Sequence, residues 1–126
     1  MDVKNLSPLT LSFVGDAVYG LLVREKLSLI NRPAGELHSE SVKLVNATAQ
    51  AKAFKLIEEM LTEDEISIYK RGRNAHVNSV PKNSSVGDYH SATGLEALFG
   101  YLHLMGNDER ARELFEIIIK DFQEKL

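Results

Sequence analysis

The chain has 126 residues, a length that suits one domain around a single hydrophobic core. Its 44% hydrophobic content excludes an intrinsically disordered chain, and the lack of cysteine excludes disulfides and thiolate metal sites. No apolar run reaches the roughly 20 residues that a membrane span needs, and the first ten residues lack the order of a secretory signal. We therefore expect a cytoplasmic protein without a membrane partner.

Helical periodicity covers the first half of the chain, where no run of alternating β-branched residues predicts a strand. A first helix is predicted from near Ser7 and Pro8 to about Leu29, because serine is a good N-cap and proline is tolerated in the first turn. A second helix is predicted to begin near 31–33. Asn46 is predicted to cap a third helix.

The second half has the same helical character, apart from one irregular segment. Thr62 and Glu65 have the spacing of a capping box and predict a fourth helix. The segment 75–86 is rich in Asn, Ser, Pro and Gly and predicts a long loop. A fifth helix is predicted from near Asp88 to Met105. A sixth follows 106–107, with Leu114, Phe115, Ile118 and Phe122 on its apolar side. We therefore predict an all-α bundle of about six to seven helices, as a single domain over 1–126.

Two acids lie within the least polar predicted helices. Asp16 is part of LSFVGDAVYG, and Glu96 is part of TGLEALFGYLHL. An ionised carboxylate rarely occupies the apolar face of a helix without a partner, and the helical neighbours of Asp16 provide no cation. Asp16 either caps a nearby helix, pairs with a buried arginine, or binds a metal ion. Its own segment does not distinguish the structural interpretations from the metal-binding one.

Glycines accompany both acids, and glycine is costly inside a helix unless a helix or a ligand approaches closely. Gly15 precedes Asp16, and Gly94 and Gly100 lie near Glu96. We therefore expect the two acids, both apparently buried, to converge on one cation. Hard cations such as Mg²⁺ prefer carboxylate oxygens. Asp16 and Glu96 are thus the candidate catalytic and metal-binding residues, with Mg²⁺ as the cofactor.

The net charge of −3 argues against a uniformly basic surface, but the charges are unevenly distributed. Between 70 and 87 there are cations and no acid. Such a run is either a solvated helix end that complements the helix dipole or a phosphate-binding surface. Combined with metal-binding carboxylates, it favours a site that cleaves phosphodiesters. The candidate nucleic-acid contacts are Lys70, Arg71, Arg73, Asn74, Lys82 and Asn83, with His76 a weaker candidate.

These two acidic segments resemble the signature segments of the ribonuclease III catalytic domain. The first match comprises Phe13 and 15–18, and the second comprises 96–98 and Gly100. The resemblance is closer to the Mini-ribonuclease III group, which lacks a separate double-stranded-RNA-binding domain. It extends to the blocks at 49–53, 70–75 and 80–83 and so covers nearly the whole chain.

The chain departs from the larger family at three acidic positions, where it has Leu9, Ser12 and Thr93. The Mini group shares this reduced set, so only Asp16 and Glu96 carry over as acidic ligands. Fewer carboxylates should mean weaker cation binding and more coordinated water. Thr93 is a candidate holder of one such water.

The resemblance implies a homodimer with two active sites, each cutting one strand of double-stranded RNA to leave a 5′-phosphate and a 3′-hydroxyl. It implies the 23S ribosomal RNA precursor as substrate, with a ribosomal protein as a candidate helper. Surplus apolar residues on the first helix are expected to face the partner subunit. Phe13, Tyr19 and Phe99 are expected to serve in packing rather than in base stacking. His38 is either an RNA contact or a structural residue.

Two other functions remain open at this stage. One is a ribonuclease III-like module that binds RNA without cutting it, which the presence of both acids disfavours. The other is a helical protein-interaction module, which should have no salt-dependent affinity for RNA.

Overall fold

The computed structural model describes residues 2–75, 80, 82 and 85–124. Within these ranges the chain forms six α-helices and no strand, which confirms the predicted all-α class. The helices are α1 (Pro8–Ser28), α2 (Ala34–Val45), α3 (Ala47–Ile57), α4 (Glu63–Arg73), α5 (Val86–Leu104) and α6 (Asp108–Glu124). Short 3-10 helices at Val3–Asn5 and Glu58–Met60 precede α1 and α4. None of the helices in the described ranges is long and apolar enough to cross a bilayer.

Side-chain caps set the helix starts, as the sequence predicts. Ser7 caps α1 and Asn46 caps α3, each accepting a backbone N–H of the first turn. Thr62 forms the predicted capping box at the start of α4. Helix α5 begins two residues before the predicted start, because the Ser85 hydroxyl accepts the N–H of Asp88 at 3.0 Å. The local polar residues therefore fix where each of these helices begins.

The connection between α5 and α6 also follows its sequence. Gly106 has a φ of 76°, a left-handed conformation that glycine adopts without strain. The N–H groups of Gly106 and Asn107 donate to the carbonyl oxygens of His103 and Leu102, closing a Schellman motif. Asn107 then caps α6 by accepting the N–H of Arg110. A single tight turn thus reverses the chain.

Helix α5 is the centre of the fold and packs against α1, α3 and α4. Its crossing with α1 depends on two glycines. A Cβ at Gly15 would overlap the carbonyl oxygen of Glu96, and a Cβ at Gly100 would overlap that of Leu11. The two backbones are therefore in direct contact, which confirms the predicted close approach of another helix.

An aromatic cluster links α5 to α1 and α6. The ring of Tyr19 lies edge-on to Phe99 at 5.1 Å and to Phe115 at 5.6 Å. The predicted packing roles of Tyr19 and Phe99 are therefore confirmed. Phe13 does not pack within the subunit: its side chain is 79% exposed, because α1 turns Leu11 and its neighbours toward α5 and Phe13 away from it.

A buried ion pair joins the start of α4 to α6. Both carboxylate oxygens of Glu65 accept hydrogen bonds of 2.9 Å from the guanidinium of Arg110. Burial alone would raise the pKa of Glu65, but the bonds from Arg110 and Thr62 outweigh it and hold that pKa below its ordinary value. The carboxylate is therefore ionised and fully bonded, and it anchors α6 to the bundle.

Candidate active site

The two candidate catalytic acids come together at the crossing of α1 and α5. The contact of Gly15 with the backbone at Glu96 brings the next residue of α1, Asp16, beside the side chain of Glu96. The two carboxyl groups are near enough that the charge of Asp16 contributes to raising the pKa of Glu96. The structure therefore brings together two residues that are distant in the sequence, at one point on the bundle.

Glu96 lies in a half-buried polar position supported by two other side chains. The Ser12 hydroxyl donates to its Oε1 at 3.4 Å, and the buried Gln50 of α3 lies close enough to help lower its pKa. Burial, followed by the proximity of Asp16, raises the pKa of Glu96 to about 8, although the bonds from Gln50 and Ser12 oppose the rise. At neutral pH and without a cation, Glu96 therefore retains a proton.

Asp16 is exposed, and in this respect the prediction of two buried acids is wrong. Most of the apolar residues around Asp16 lie on other faces of α1. Asp16 therefore lines a surface cavity of about 380 Å³ between α1 and α2. In the described part of the chain, neither a helix N-terminus nor an arginine pairs with it. The two structural explanations left open by the sequence are thus absent here.

The donor set fits a hard divalent cation. Every polar atom at the junction is an oxygen or an amide, from Asp16, Glu96, Ser12 and Gln50. Among the described residues no group of three or more acids, histidines or cysteines is arranged so that it could hold a metal ion. Two carboxylates therefore leave most positions around a cation to water, which suits Mg²⁺ because it dehydrates reluctantly.

The two polar positions where the larger family has acids differ in their surroundings. Ser12 bonds directly to Glu96, so it supports the carboxyl group rather than replacing a ligand. Thr93 is buried, and its hydroxyl donates to the carbonyl oxygen of Tyr89 at 3.0 Å. The hydroxyl proton of Thr93 therefore already has a partner, and a role of Thr93 in holding water stays a prediction.

The candidate nucleic-acid contacts are at and beyond the end of α4, which crosses α5 where Gly72 meets Gly94. Lys70, Arg73 and Asn74 are exposed there, and no ion pair of the described residues joins them to the catalytic acids. Lys82 is exposed as well. Asn83 and His76 lie outside the described residues.

Two arginines of this segment differ in how firmly other residues hold their guanidinium groups. Arg71 donates to the carbonyl oxygens of Lys4 and Leu6, at 2.7 and 2.9 Å, and so holds the segment before α1 against α4. Arg73 lies 5.7 Å from the centre of the Tyr69 ring and donates to the Asn74 side chain. Arg73 and Lys70 are therefore freer to meet a ligand than Arg71.

Gln50 is part of this site, although the sequence pattern did not identify it. The sequence feature that could have indicated Gln50 is the AQAKA block at 49–53, where Gln50 is a polar residue on the buried face of α3. The proximity of Gln50 to Glu96 depends on how α3 packs against α5, which no local pattern states. Ser12 was noted only as the replacement of an acid.

Comparison with known proteins agrees with this geometry. The family model described as the Ribonuclease III domain matches residues 9–107. The chain belongs to the ribonuclease III domain family and is accordingly an endoribonuclease that acts on double-stranded RNA.

Similar proteins narrow the assignment within that family. A Mini-ribonuclease 3 from Thermoanaerobacter sp. (strain X514) is 46% identical over 123 residues, covering 97% of this chain and 87% of the relative. Another, from Clostridium tetani, is 38% identical and covers 98% of this chain and 83% of the relative. A crystal structure of a protein from Fusobacterium nucleatum is 31% identical with a TM-score of 0.88, covering 95% of this chain and 97% of that one. The resemblance to the Mini-ribonuclease III group is confirmed.

Proposed function

We propose that the protein hydrolyses double-stranded RNA at the junction of Asp16 and Glu96, with Mg²⁺ as cofactor, leaving a 5′-phosphate and a 3′-hydroxyl. The observation that supports this most directly is the meeting of the two carboxyl groups where α1 crosses α5. One carboxylate is exposed to an incoming substrate, and the other is held by neighbouring side chains. That division suits a site that must be both accessible and precise.

A bound magnesium ion would supply Lewis-acid activation of water and stabilisation of the charge that develops on the phosphate. The protein's own residues prepare the site for it. Asp16 presents its carboxylate to the open cavity, where the phosphodiester can approach. Ser12 and Gln50 orient Glu96, which must lose its proton to serve as a ligand. The partial burial of Glu96 strengthens its electrostatic interactions compared with those in bulk water.

RNA recognition is proposed to depend mainly on shape, because A-form RNA presents phosphates and 2′-hydroxyls rather than readable base edges. Lys70, Arg73, Asn74 and Lys82 are exposed and can reach a phosphate backbone. Asn83 keeps the same proposed role from its sequence context. Arg71 is the weakest member of the set, because its guanidinium already binds two carbonyl groups.

We propose a homodimer as the active form. In the described part of the subunit, helix α1 exposes the large apolar side chains of Leu9, Phe13 and Leu21. Maturation of the 23S ribosomal RNA precursor, assisted by a ribosomal protein, remains the proposed cellular task, and it rests on the family resemblance. Its location would be the cytoplasm.

The test is cleavage of a long RNA duplex in Mg²⁺ by the variants Asp16→Asn and Glu96→Gln. Each should reduce the cleavage rate at least about 100-fold, because a ligand is lost without a change of shape. Glu59→Gln, at an exposed acid outside the site, is the matched control and should cut normally. End-group analysis of wild-type products should find phosphatase-sensitive 5′ ends.

Three results would contradict the proposal. Normal cleavage by both site variants would remove Asp16 and Glu96 from the mechanism. Full wild-type activity after exhaustive chelation would exclude a metal cofactor. An intact duplex that wild-type protein binds but never cuts would instead support a non-catalytic RNA-binding module.

A further inference from the structure

We propose that Arg24 binds a backbone phosphate of the RNA strand in the groove between α1 and α2. This α1–α2 groove is lined by Asp16, Ala17, Gly20, Leu21 and Arg24 of α1 and by Ser41 and Val45 of α2. The inference rests on the proposed function, because it takes Asp16 as the point where the strand is cut. It adds a substrate-positioning residue, outside the sequence-predicted contacts, to the cleavage site.

The groove is longer than the cavity at Asp16 alone. A second cavity of about 230 Å³ is adjacent to the first, of about 380 Å³, and Arg24 and Ser41 line both. The second cavity is bounded further along by Ser28, Ala34 and His38. Together they form a continuous depression that starts at Asp16 and passes Arg24. An elongated polymer can occupy such a depression.

Helix geometry places Arg24 at a useful distance from the catalytic acid. Asp16, Gly20 and Arg24 are spaced four residues apart and so lie on one side of α1. At about 1.5 Å of rise per residue, Arg24 lies about 12 Å along the helix from Asp16. The phosphate at Arg24 is therefore not the one being cleaved but a more distant phosphate of the same duplex.

The charge of Arg24 is available to a ligand. Its side chain is exposed, and among the described residues no acid forms an ion pair with it. Two acids next to lining residues in sequence are occupied: Glu25 pairs with Arg112 at 3.5 Å and Glu40 with Lys43 at 3.1 Å. Within the described ranges, no ion pair joins Arg24 to Glu36 or to Asp16. A free guanidinium presents two parallel donors that match the oxygens of a phosphate.

Gly20, between the two charged residues, leaves the floor of the groove open. A Cβ built at Gly20 would meet no atom within 4 Å, so no helix packing within the subunit requires glycine there. Glycine is disfavoured inside a helix, and its presence at an open position suits the close approach of an external backbone. The opposite wall does not hold Arg24: among the described residues no hydrogen bond joins it to Ser41, whose hydroxyl donates to the carbonyl oxygen of His38.

The first experiment measures binding of duplex RNA, in a chelator so that no cleavage occurs, over a range of salt concentrations. Arg24→Gln should raise Kd about tenfold and reduce the slope of log Kd against log salt by about one unit. Arg24→Lys should retain the slope because it keeps the charge. The matched control is Lys55→Gln, which removes one exposed cation of α3 outside the groove and should change neither quantity. In Mg²⁺, KM should rise for Arg24→Gln while kcat stays within about twofold.

The second experiment identifies the phosphate. Single neutral methylphosphonate linkages are introduced along one strand of the duplex. A methylphosphonate at one position, displaced from the cleaved bond, should weaken binding by wild type but not by Arg24→Gln, because the variant already lacks the contact that the neutral linkage removes. A scan in which the two proteins respond equally at every position would overturn the inference.

The outcomes separate this inference from the proposed function. If Asp16→Asn abolishes cleavage while Arg24→Gln behaves like Lys55→Gln, the inference about Arg24 fails and the catalytic site stands. If Arg24→Gln alters the molar mass in solution instead of RNA affinity, the groove is an interface between copies of the chain, and the inference again fails. If Asp16→Asn cuts normally but Arg24→Gln weakens binding with the predicted salt slope, the catalytic assignment fails and the phosphate contact at Arg24 survives.

Discussion

At the scale of single residues, Glu96 couples the candidate catalytic site to the stability of the fold. Burial raises its pKa to about 8, with Asp16 contributing, whereas an unfolded glutamate has its ordinary value near 4.5. The folded state therefore binds a proton that the unfolded state releases as the pH rises between these values. Linkage then requires the free energy of unfolding to fall over that interval and to level off above it.

This coupling predicts that Glu96→Gln stabilises the metal-free protein. The amide keeps the shape of the side chain but cannot ionise, so it avoids the cost of a half-buried carboxylate beside Asp16. In a chelator, the variant should be more stable than wild type at pH 8, and the difference should shrink toward pH 5. Urea unfolding at several pH values measures it.

The control for this prediction is the same substitution at an exposed glutamate. Glu59→Gln, at an exposed position, should follow the wild-type curve at every pH. Adding Mg²⁺ should stabilise wild type and leave Glu96→Gln unchanged, because binding to the folded state alone raises stability. A pH-independent difference between Glu96→Gln and wild type would show that the carboxyl group titrates normally.

The convergence of the candidate acids Asp16 and Glu96 could be predicted from the sequence, but their surroundings could not. An acid in an apolar segment is easily recognised in a sequence. The sequence does not state which face of α1 is exposed to solvent, and Asp16 lies on that face. The basic run at the end of α4 had the same limitation. Charge alone did not indicate that Arg71 bonds to the segment before α1, whereas Lys70 makes no such contact with the residues that the structure describes.

At the scale of helices, the crossing of α1 and α5 determines the geometry of the site. Gly15 and Gly100 allow the two backbones to touch, and this contact sets the position of Asp16 relative to Glu96. A side chain at the crossing would separate the helices and move the two carboxyl groups apart. Small displacements of catalytic groups are costly to reaction rates.

Two glycines of α1 should therefore respond in opposite ways to alanine. Gly15→Ala should lower the free energy of unfolding by at least about 2 kcal/mol, because the new Cβ overlaps rigid backbone at Glu96. Gly20→Ala should raise it by about 0.5–1 kcal/mol, because its Cβ meets only open space and alanine is the better helix former. Urea unfolding of the two variants provides the comparison, and each serves as the control for the other. Similar effects of the two substitutions would mean that the helices are not in backbone contact at Gly15.

Helix boundaries were predictable where a side chain caps the backbone locally. Ser7, Asn46 and Thr62 marked the starts correctly because each bond is made within one turn. The start of α5 was missed by two residues, since Ser85 is followed by Gly87 in a stretch that reads as a loop. The packing partners of each helix could not be read from the sequence, because they depend on contacts between distant segments.

At the scale of the whole molecule, the subunit leaves apolar surface on the outside of α1. Leu9, Phe13 and Leu21 are 40%, 79% and 58% exposed, and all three belong to the helix that carries Asp16. Single exposed apolar residues are common, but a large aromatic side chain with two neighbours on one helix indicates an interface. A second copy of the chain is the occupant that we propose, so the same helix would carry both the catalytic acid and the dimer contact.

Phe13→Ala should weaken this dimer strongly without unfolding the subunit. Buried aromatic anchors contribute about 2 kcal/mol or more to an interface, and a two-fold interface contains Phe13 twice, so Kd should rise roughly 1000-fold. Sedimentation equilibrium over a range of concentrations measures that change. Leu29→Ala, at a side chain that is 76% exposed beyond the end of α1, is the control and should dimerise like wild type. Because Phe13 is exposed in the subunit, the helical circular dichroism of Phe13→Ala should be preserved. A wild-type protein that stays monomeric, or an unchanged Kd for Phe13→Ala, would place the dimer contact away from α1 or exclude it.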